Sequence, residues 1–356
     1  MEKNRLKKDK IRAVLKALPK TEIHLHLEGL ASVETIWSLK TKHRLDFPNI
    51  QSKEDLYQRF KVKNLNDFID LFINVVQNSF QQEDDIKLLI EDARSYLKRN
   101  NITYTEIFFA PSKFVRNGFS FPKILDILDD GAKQLFEEER LRVRYIIDVS
   151  RTFGPENAMQ NLDLTLQNRK DSVIGIGLGG AEDKGPAQDY KEVFRKAKAN
   201  GLHLVAHAGE DVGPSSIWHS LQYLEVERIG HGISAIKDQK LMDFLAEKQI
   251  PLEICPKSNI ITGRYVTTYK EHPIRPFYDQ GLKVTLNTDD PTIFGAELVD
   301  EYMTLITEGV FTFQEDLQLM KNTLEATFLS QEEKEAAWNT FLDSVSNIGA
   351  IPELNK

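Results

Sequence analysis

The sequence predicts a (β/α)8 barrel, and three observations carry that reading. Eight short stretches rich in β-branched and aliphatic residues alternate with helical stretches, the pattern of parallel strands joined by crossover helices. At 356 residues the chain is long enough for one large barrel with additions. Residues suited to chemistry stand at the ends of several of those strands, where barrels carry their sites. An open doubly wound sheet is the alternative arrangement of the same elements.

Ile11, Val14, Leu15 and Leu18 recur at helical spacing in a Lys- and Arg-rich opening, which predicts a solvated N-terminal helix leading into the first strand. That strand lies in Thr21-Glu22-Ile23-His24-Leu25-His26-Leu27-Glu28-Gly29. A strand sends residues i and i+2 to one face, so His24 and His26 project together about 6.6 Å apart. From about 30 to 100 the chain reads as a helical insertion. It holds a helix over Ser32–Lys40, a polar turn through His43–Ser52, an amphipathic run at Leu65, Phe68, Ile69, Phe72, Val75 and Val76, and a helix over Glu83–Arg99,. Its length fits either a cap over the strand ends or structural decoration.

The second strand is Ile102–Phe109. Helix Phe121–Glu139 precedes strand Val143–Val149, and helix Pro155–Gln167 precedes strand Val173–Leu178. Helix Gln188–Ala199 leads to strand His203–His207, and helix Ser215–Leu224 to the short strand Arg228–Gly230. Helix Asp238–Lys248 leads to strand Pro251–Ile254, and a helix near Pro273–Gln280 to strand Lys283–Asn287. From about 296 to 356 three further helices are predicted outside the barrel. The whole chain, 1–356, reads as a single barrel domain without a flexible linker.

The composition, 41% hydrophobic and 28% charged, is that of an ordinary globular protein and excludes a disordered or fibrous one. The net charge of −8 disfavours broad attraction to nucleic acid or to an anionic membrane. No apolar run approaches the length of a membrane span, and the first twenty residues lack the apolar core of a secretory signal. Cys255 is the only cysteine, so no intramolecular disulfide and no multi-thiolate metal site can form. A cytoplasmic setting and a small-molecule substrate are the corresponding expectations.

His24 and His26 end strand one, His207 ends strand five, His231 follows strand six, and Asp289 and Asp290 follow strand eight. Singly, each reads more readily as an ordinary structural residue: His207 as a hydrogen-bonded histidine, Glu210 as a loop carboxylate, Asp289-Asp290-Pro291 as a helix cap. Jointly they point to a site. Three imidazoles and a carboxylate, His24, His26, His207 and Asp289, suit zinc with room for a water, although other divalent ions accept the same donors. Zinc lowers the pKa of that water toward about 7. Glu210 and His231 remain for proton handling and transition-state stabilisation, and Asp290 for contact with substrate.

The stretches Thr-Glu-Ile-His-Leu-His-Leu-Glu-Gly, His-Ala-Gly-Glu, Arg-Ile-Gly-His-Gly, Pro-Leu-Glu-Ile-Cys-Pro-Lys-Ser-Asn and Asn-Thr-Asp-Asp-Pro resemble the adenosine deaminase family of metal-dependent amidohydrolase barrels. The resemblance runs in order from about Pro19 to Tyr302. It implies one Zn2+ per chain and replacement of the 6-amino group of a purine nucleoside by oxygen, with release of ammonia. It implies that His24, His26, His207 and Asp289 hold the metal, that Glu210 protonates the purine N1, and that His231 orients the attacking hydroxide. It further implies that Asp290 meets the N7 region, the Gly180 N–H meets N3, Glu28 lies near the sugar, and His26 also contacts substrate.

Two departures stand out. Gly177 occupies a position where the family carries an acidic residue, and Glu28 stands where mammalian-type members carry Asp. The run Gly-Leu-Gly-Gly-Ala-Glu, with Gly213-Pro214 and Trp218, resembles a bacterial branch that includes deaminases of aminodeoxyfutalosine, a nucleoside whose 5′ extension ends in a benzoate. Adenine itself is a further family substrate. Arg151, Arg116, Lys257 and Arg275, near predicted strand ends, are candidate cations for such a carboxylate, although each reads more readily as a surface residue. His43, His203, His219 and His272 have no motif around them, and Cys255 reads as a small buried hydrophobe.

Overall fold

The computed structural model describes residues 2–348, with side chains from residue 8 onward. Its eight parallel strands follow one another in chain order around a single sheet: β1 (Lys20–His26), β2 (Ile102–Phe109), β3 (Arg142–Asp148), β4 (Val173–Leu178), β5 (His203–Ala208), β6 (Arg228–His231), β7 (Leu252–Ile254) and β8 (Val284–Leu286). Helices lie between successive strands, so the architecture is the expected (β/α)8 barrel. Among the described residues no helix is long and apolar enough to cross a membrane.

The ring closes with little strand pairing. Between β8 and β1 the backbone bridge is Leu25 to Asp289, with His26 N–H donating to Asp289 O at 2.9 Å and Asp289 N–H to His24 O at 3.2 Å. Side chains complete the seam. Asn287 Oδ1 accepts from the N–H groups of Ile23 and His24 at 3.1 and 3.2 Å. Glu22 Oε1 accepts from Thr288 N–H and Oγ1 at 2.8 and 2.7 Å. Asn287 thus serves both neighbours: its N–H still donates to Ile254 O of β7 at 2.9 Å, while its side chain pairs with β1.

Two hydrophobic regions result. The larger joins the outer face of the sheet to its helices; the smaller, Phe108, Ile146 and Val205 with Phe328 and Ile174 against them, forms a separate cluster. Arg228 is fully buried with Glu106 and Glu253, making ion pairs at 2.5 and 2.6 Å. Its guanidinium lies 3.9 Å from the Phe328 ring centroid, and Phe328 also stacks on His203.

Elsewhere the differences from the expected elements are local. The amphipathic run at 65–76 is an α-helix, Leu65–Leu71, that widens into a π-turn over Phe72–Gln77. The helix expected at Ser215–Leu224 does the same at Ser220–Leu224. Short helices at Lys53–Arg59, Ser112–Arg116, Pro256–Thr262 and Pro291–Phe294 carry too few residues to show a period. The three C-terminal helices are Leu298–Thr307, Phe313–Ala326 and Gln331–Ile348.

Asn287→Ala would strip the acceptor from two buried N–H groups, at about 1–3 kcal/mol for each group left unpaired. A loss of about 2–4 kcal/mol in stability is expected, read as a lower urea midpoint at unchanged slope. An unchanged midpoint would show that the seam does not depend on this side chain.

Candidate active site

Alternation along β1 puts His24 and His26 together at the strand's C-terminal end, and His207 arrives from the end of β5. Asp289 joins them from the turn after β8. The four donor atoms lie within 4.8 Å of one another, all in buried residues. His26 Nε2 and His207 Nε2 are 3.1 Å apart, and Asp289 Oδ1 lies 3.3 Å from His26 Nε2 and 3.5 Å from His24 Nε2. Ligands on a tetrahedral ion with bonds of about 2.0–2.1 Å stand about 3.3 Å apart, so this spacing fits a metal. His24 Nε2 is buried with no hydrogen-bond partner, as a lone pair kept for a cation would be. A second grouping, His24, His231, Cys255 and Asp289, also meets the distance requirement.

Two of the four donors are held from behind by hydrogen bonds. His24 Nδ1 is 2.7 Å from Glu253 Oε2, and Asp289 Oδ2 accepts from Ser258 Oγ at 2.7 Å. Both contacts leave the opposite atom for the centre, as outer partners of metal ligands do. Phe108 lies against the three imidazoles, with ring centroids 5.1 Å from His24, 5.1 Å from His26 and 5.3 Å from His207. This explains Gly177: a Cβ there would stand 2.8 Å from Phe108 Cε1. Gly230 likewise leaves room for His24, whose Cε1 would be 2.8 Å from an added Cβ.

The donors open onto a cavity of about 290 Å³. Glu210, His231, Asp290 and Gly180 line it together with His26, His207 and Asp289. Glu210 Oε2 lies 3.4 Å from His231 Nε2. Burial first, then the charges of Asp289 and Glu182, hold the Glu210 carboxyl well above the usual range. Burial and the Asp289 charge do the same for Asp290, whose Oδ1 has no partner. A carboxyl shifted this way is biased toward its protonated form, which can donate a hydrogen bond.

Glu28 is not on the cavity wall. It is fully buried, with Oε1 accepting from Ala110 N–H at 3.1 Å and Gln77 Nε2 at 3.3 Å, two residues that do line the cavity. The insertion supplies Leu65, Phe68, Phe72 and Gln77 to that wall. The four cations singled out from sequence are absent from it. Arg151 is buried and donates to the carbonyls of His207, at 2.6 Å, and Gly185. Lys257 bonds Gly295 O, Arg275 pairs with Asp279 and Glu315, and Arg116 lies over the Phe153 ring. Lys184, exposed at the rim, is the cation among the lining residues.

Sequence assigns no role to several supporting residues, although Glu182 and Asn259 stand inside stretches that carry the family resemblance. Glu182 accepts from the N–H groups of Gly209 at 2.5 Å, Asp211 at 2.8 Å and Val212 at 2.9 Å, gripping the turn that carries Glu210. Asn259 stands between His231 and His272, 3.1 and 3.2 Å away. Asp148, on the cavity wall, accepts from Gly179 N–H at 2.6 Å.

Known proteins are similar to this chain along nearly its whole length. A family model described as adenosine deaminase matches residues 19–345. An aminodeoxyfutalosine deaminase from Streptomyces coelicolor is 35% identical over 321 residues, 90% of this chain and 82% of that protein. An adenosine deaminase from Shewanella loihica is 32% identical, over 90% of this chain and 98% of that one. The crystal structure of an adenine deaminase from Arthrobacter aurescens superposes with a TM-score of 0.86 at 28% identity, covering 92% of this chain and 99% of that one. The chain belongs to the adenosine deaminase family and is a hydrolytic deaminase.

Proposed function

We propose that the chain is a zinc-dependent deaminase of a 6-aminopurine nucleoside, releasing ammonia and leaving a 6-oxo purine. One observation supports this above all: His26, His207 and Asp289 of the buried four-donor cluster share one cavity with Glu210, whose carboxyl is held above its usual range, and with Asp290, whose Oδ1 is unpartnered. His24, His26, His207 and Asp289 would hold the ion, which supplies a water acidic enough to act as hydroxide at neutral pH.

The chain's own residues account for the rest. Glu210 donates its proton to the ring nitrogen beside C6, which makes that carbon electrophilic. His231 donates a hydrogen bond to the attacking oxygen and stabilises the charge that develops there. Asp290 meets the imidazole edge of the purine, and the Gly180 N–H meets N3. Water adds to C6, one of its protons restores Glu210, and the other passes to the amino group as the C6–N bond breaks, so that ammonia leaves and the ring nitrogen keeps the proton Glu210 gave. His26, on the cavity wall, also meets the substrate, and Glu28 acts from behind through Gln77 and the backbone of Ala110.

A second substrate is favoured by the shape of the wall. Leu65, Phe68, Phe72, Phe153 and Phe294 extend an apolar surface, and Lys184 stands at the rim. A nucleoside with an aromatic, anionic 5′ extension, as in aminodeoxyfutalosine, would use both.

Zinc-loaded protein should release ammonia from at least one of adenosine, adenine and aminodeoxyfutalosine, with the matching ultraviolet shift. Turnover of no 6-aminopurine contradicts the reading. Preference among the three, measured as kcat/KM side by side, assigns the substrate. Glu210→Gln should keep its fold and zinc content yet lose turnover at least ~10²-fold, the scale of general acid–base catalysis. His207→Ala should instead lose zinc affinity. Full turnover in the first variant, or undiminished zinc affinity in the second, would overturn the roles given to them.

A further inference from the structure

His231 and His272 are linked through Asn259, and the direction of each hydrogen bond in the chain can be worked out from one fixed donor. Ile274 N–H donates to His272 Nδ1 at 3.1 Å. A backbone N–H can only donate, so His272 Nδ1 carries a lone pair and the ring proton sits on Nε2. That Nε2 lies 3.2 Å from Asn259 Oδ1, which can only accept. The carboxamide is thereby oriented, and its Nδ2 faces His231 Nδ1 at 3.1 Å. An amide nitrogen donates, so His231 Nδ1 must also carry a lone pair. An imidazole with a bare Nδ1 holds its proton on Nε2, the nitrogen 3.4 Å from Glu210 Oε2. All three side chains are at most 1% exposed, so water does not compete for these bonds.

We propose that Asn259 and His272 are positioning residues that fix His231 as a hydrogen-bond donor at Nε2, with Ile274 N–H setting the direction of the relay. This rests on the functional reading of the cavity for its purpose, and on geometry alone for its existence. Two consequences follow. His231 serves the attacking oxygen as a donor and does not take a proton at Nε2. A protonated Nε2 also has no lone pair for a metal, which separates His231 from the donors and selects His24, His26, His207 and Asp289 over the grouping that includes Cys255.

The direct test is the side-chain nitrogen spectrum of zinc-loaded protein labelled with 15N-histidine, with the two rings assigned by loss of signal in His231→Gln and His272→Gln. Protonated Nε2 and bare Nδ1 on both rings are expected; a proton on His231 Nδ1, or metal-bound His231 Nε2, overturns the relay. Asn259→Leu removes the link at similar volume. It should mix the His231 tautomers and lower kcat by about 10-fold or more, the scale of outer partners in metal sites, with KM within about twofold and zinc content retained. His272→Leu should mix the tautomers in the same way. A wild-type tautomer in either variant, or mixed tautomers with unchanged kcat, counts against the proposal. Absence of any deaminase turnover in the wild type would instead overturn the function while the spectrum still reads the relay.

Discussion

The contact between His24 and Glu253 is the constraint on which the rest of the site depends. Both side chains are fully buried, and a buried carboxylate costs several kcal/mol unless it is paired. Arg228 supplies the pairing for Glu253 and, on its other side, for Glu106. Glu106 in turn accepts from Tyr104 and from the backbone of Phe328. A column of charge therefore runs from the metal donors to the C-terminal helices, and each member is held by the next. Its consequence is local: with Nδ1 committed to Glu253, the His24 ring can offer only Nε2 to the centre.

The seam of the barrel meets the same centre. His24 and His26 lie on one side of the β1/β8 junction and Asp289 on the other, so the residues that close the ring are neighbours of those that would hold the metal. The backbone is unusual where it must be. His231 and Asp289 both adopt positive φ, 60° and 68°, a conformation that costs a non-glycine residue of order 1–3 kcal/mol and that clusters at functional sites. The turn after β5 is stabilised by opposite charges on complementary partners. Arg151 takes the His207 carbonyl, while Glu182 takes three amides of the following turn.

Much of this was legible from residue order because the signals are local. Strands Ile102–Phe109 and Val173–Leu178 are buried runs whose ends coincide with turn residues. The His-x-His pair shares a face by strand geometry alone, and Glu210, His231 and Asp290 are placed by the barrel rule that chemistry lies at strand ends. What was not legible is relational. Glu253, Asn259 and Glu182 stand in stretches that carry the family resemblance, yet their roles show only when His24, His231 and the turn after β5 come beside them. His272 has no motif around it, yet it reaches His231 through Asn259. The cations failed for the same reason: Arg151 and Lys257 turn to backbone carbonyls, a choice that no periodicity records. Gly177, a departure from the family pattern in sequence, is explained by the Phe108 ring that fills its side-chain space.

The most direct measurement is a crystal structure of the zinc-loaded protein with anomalous data at the zinc edge. One peak bonded to His24, His26, His207 and Asp289 at about 2.0–2.2 Å is expected, with His231 Nε2 turned toward a zinc-coordinated or nearby oxygen and not bonded to the ion. A peak bonded to His231 and Cys255, or no peak at these side chains, would contradict the account.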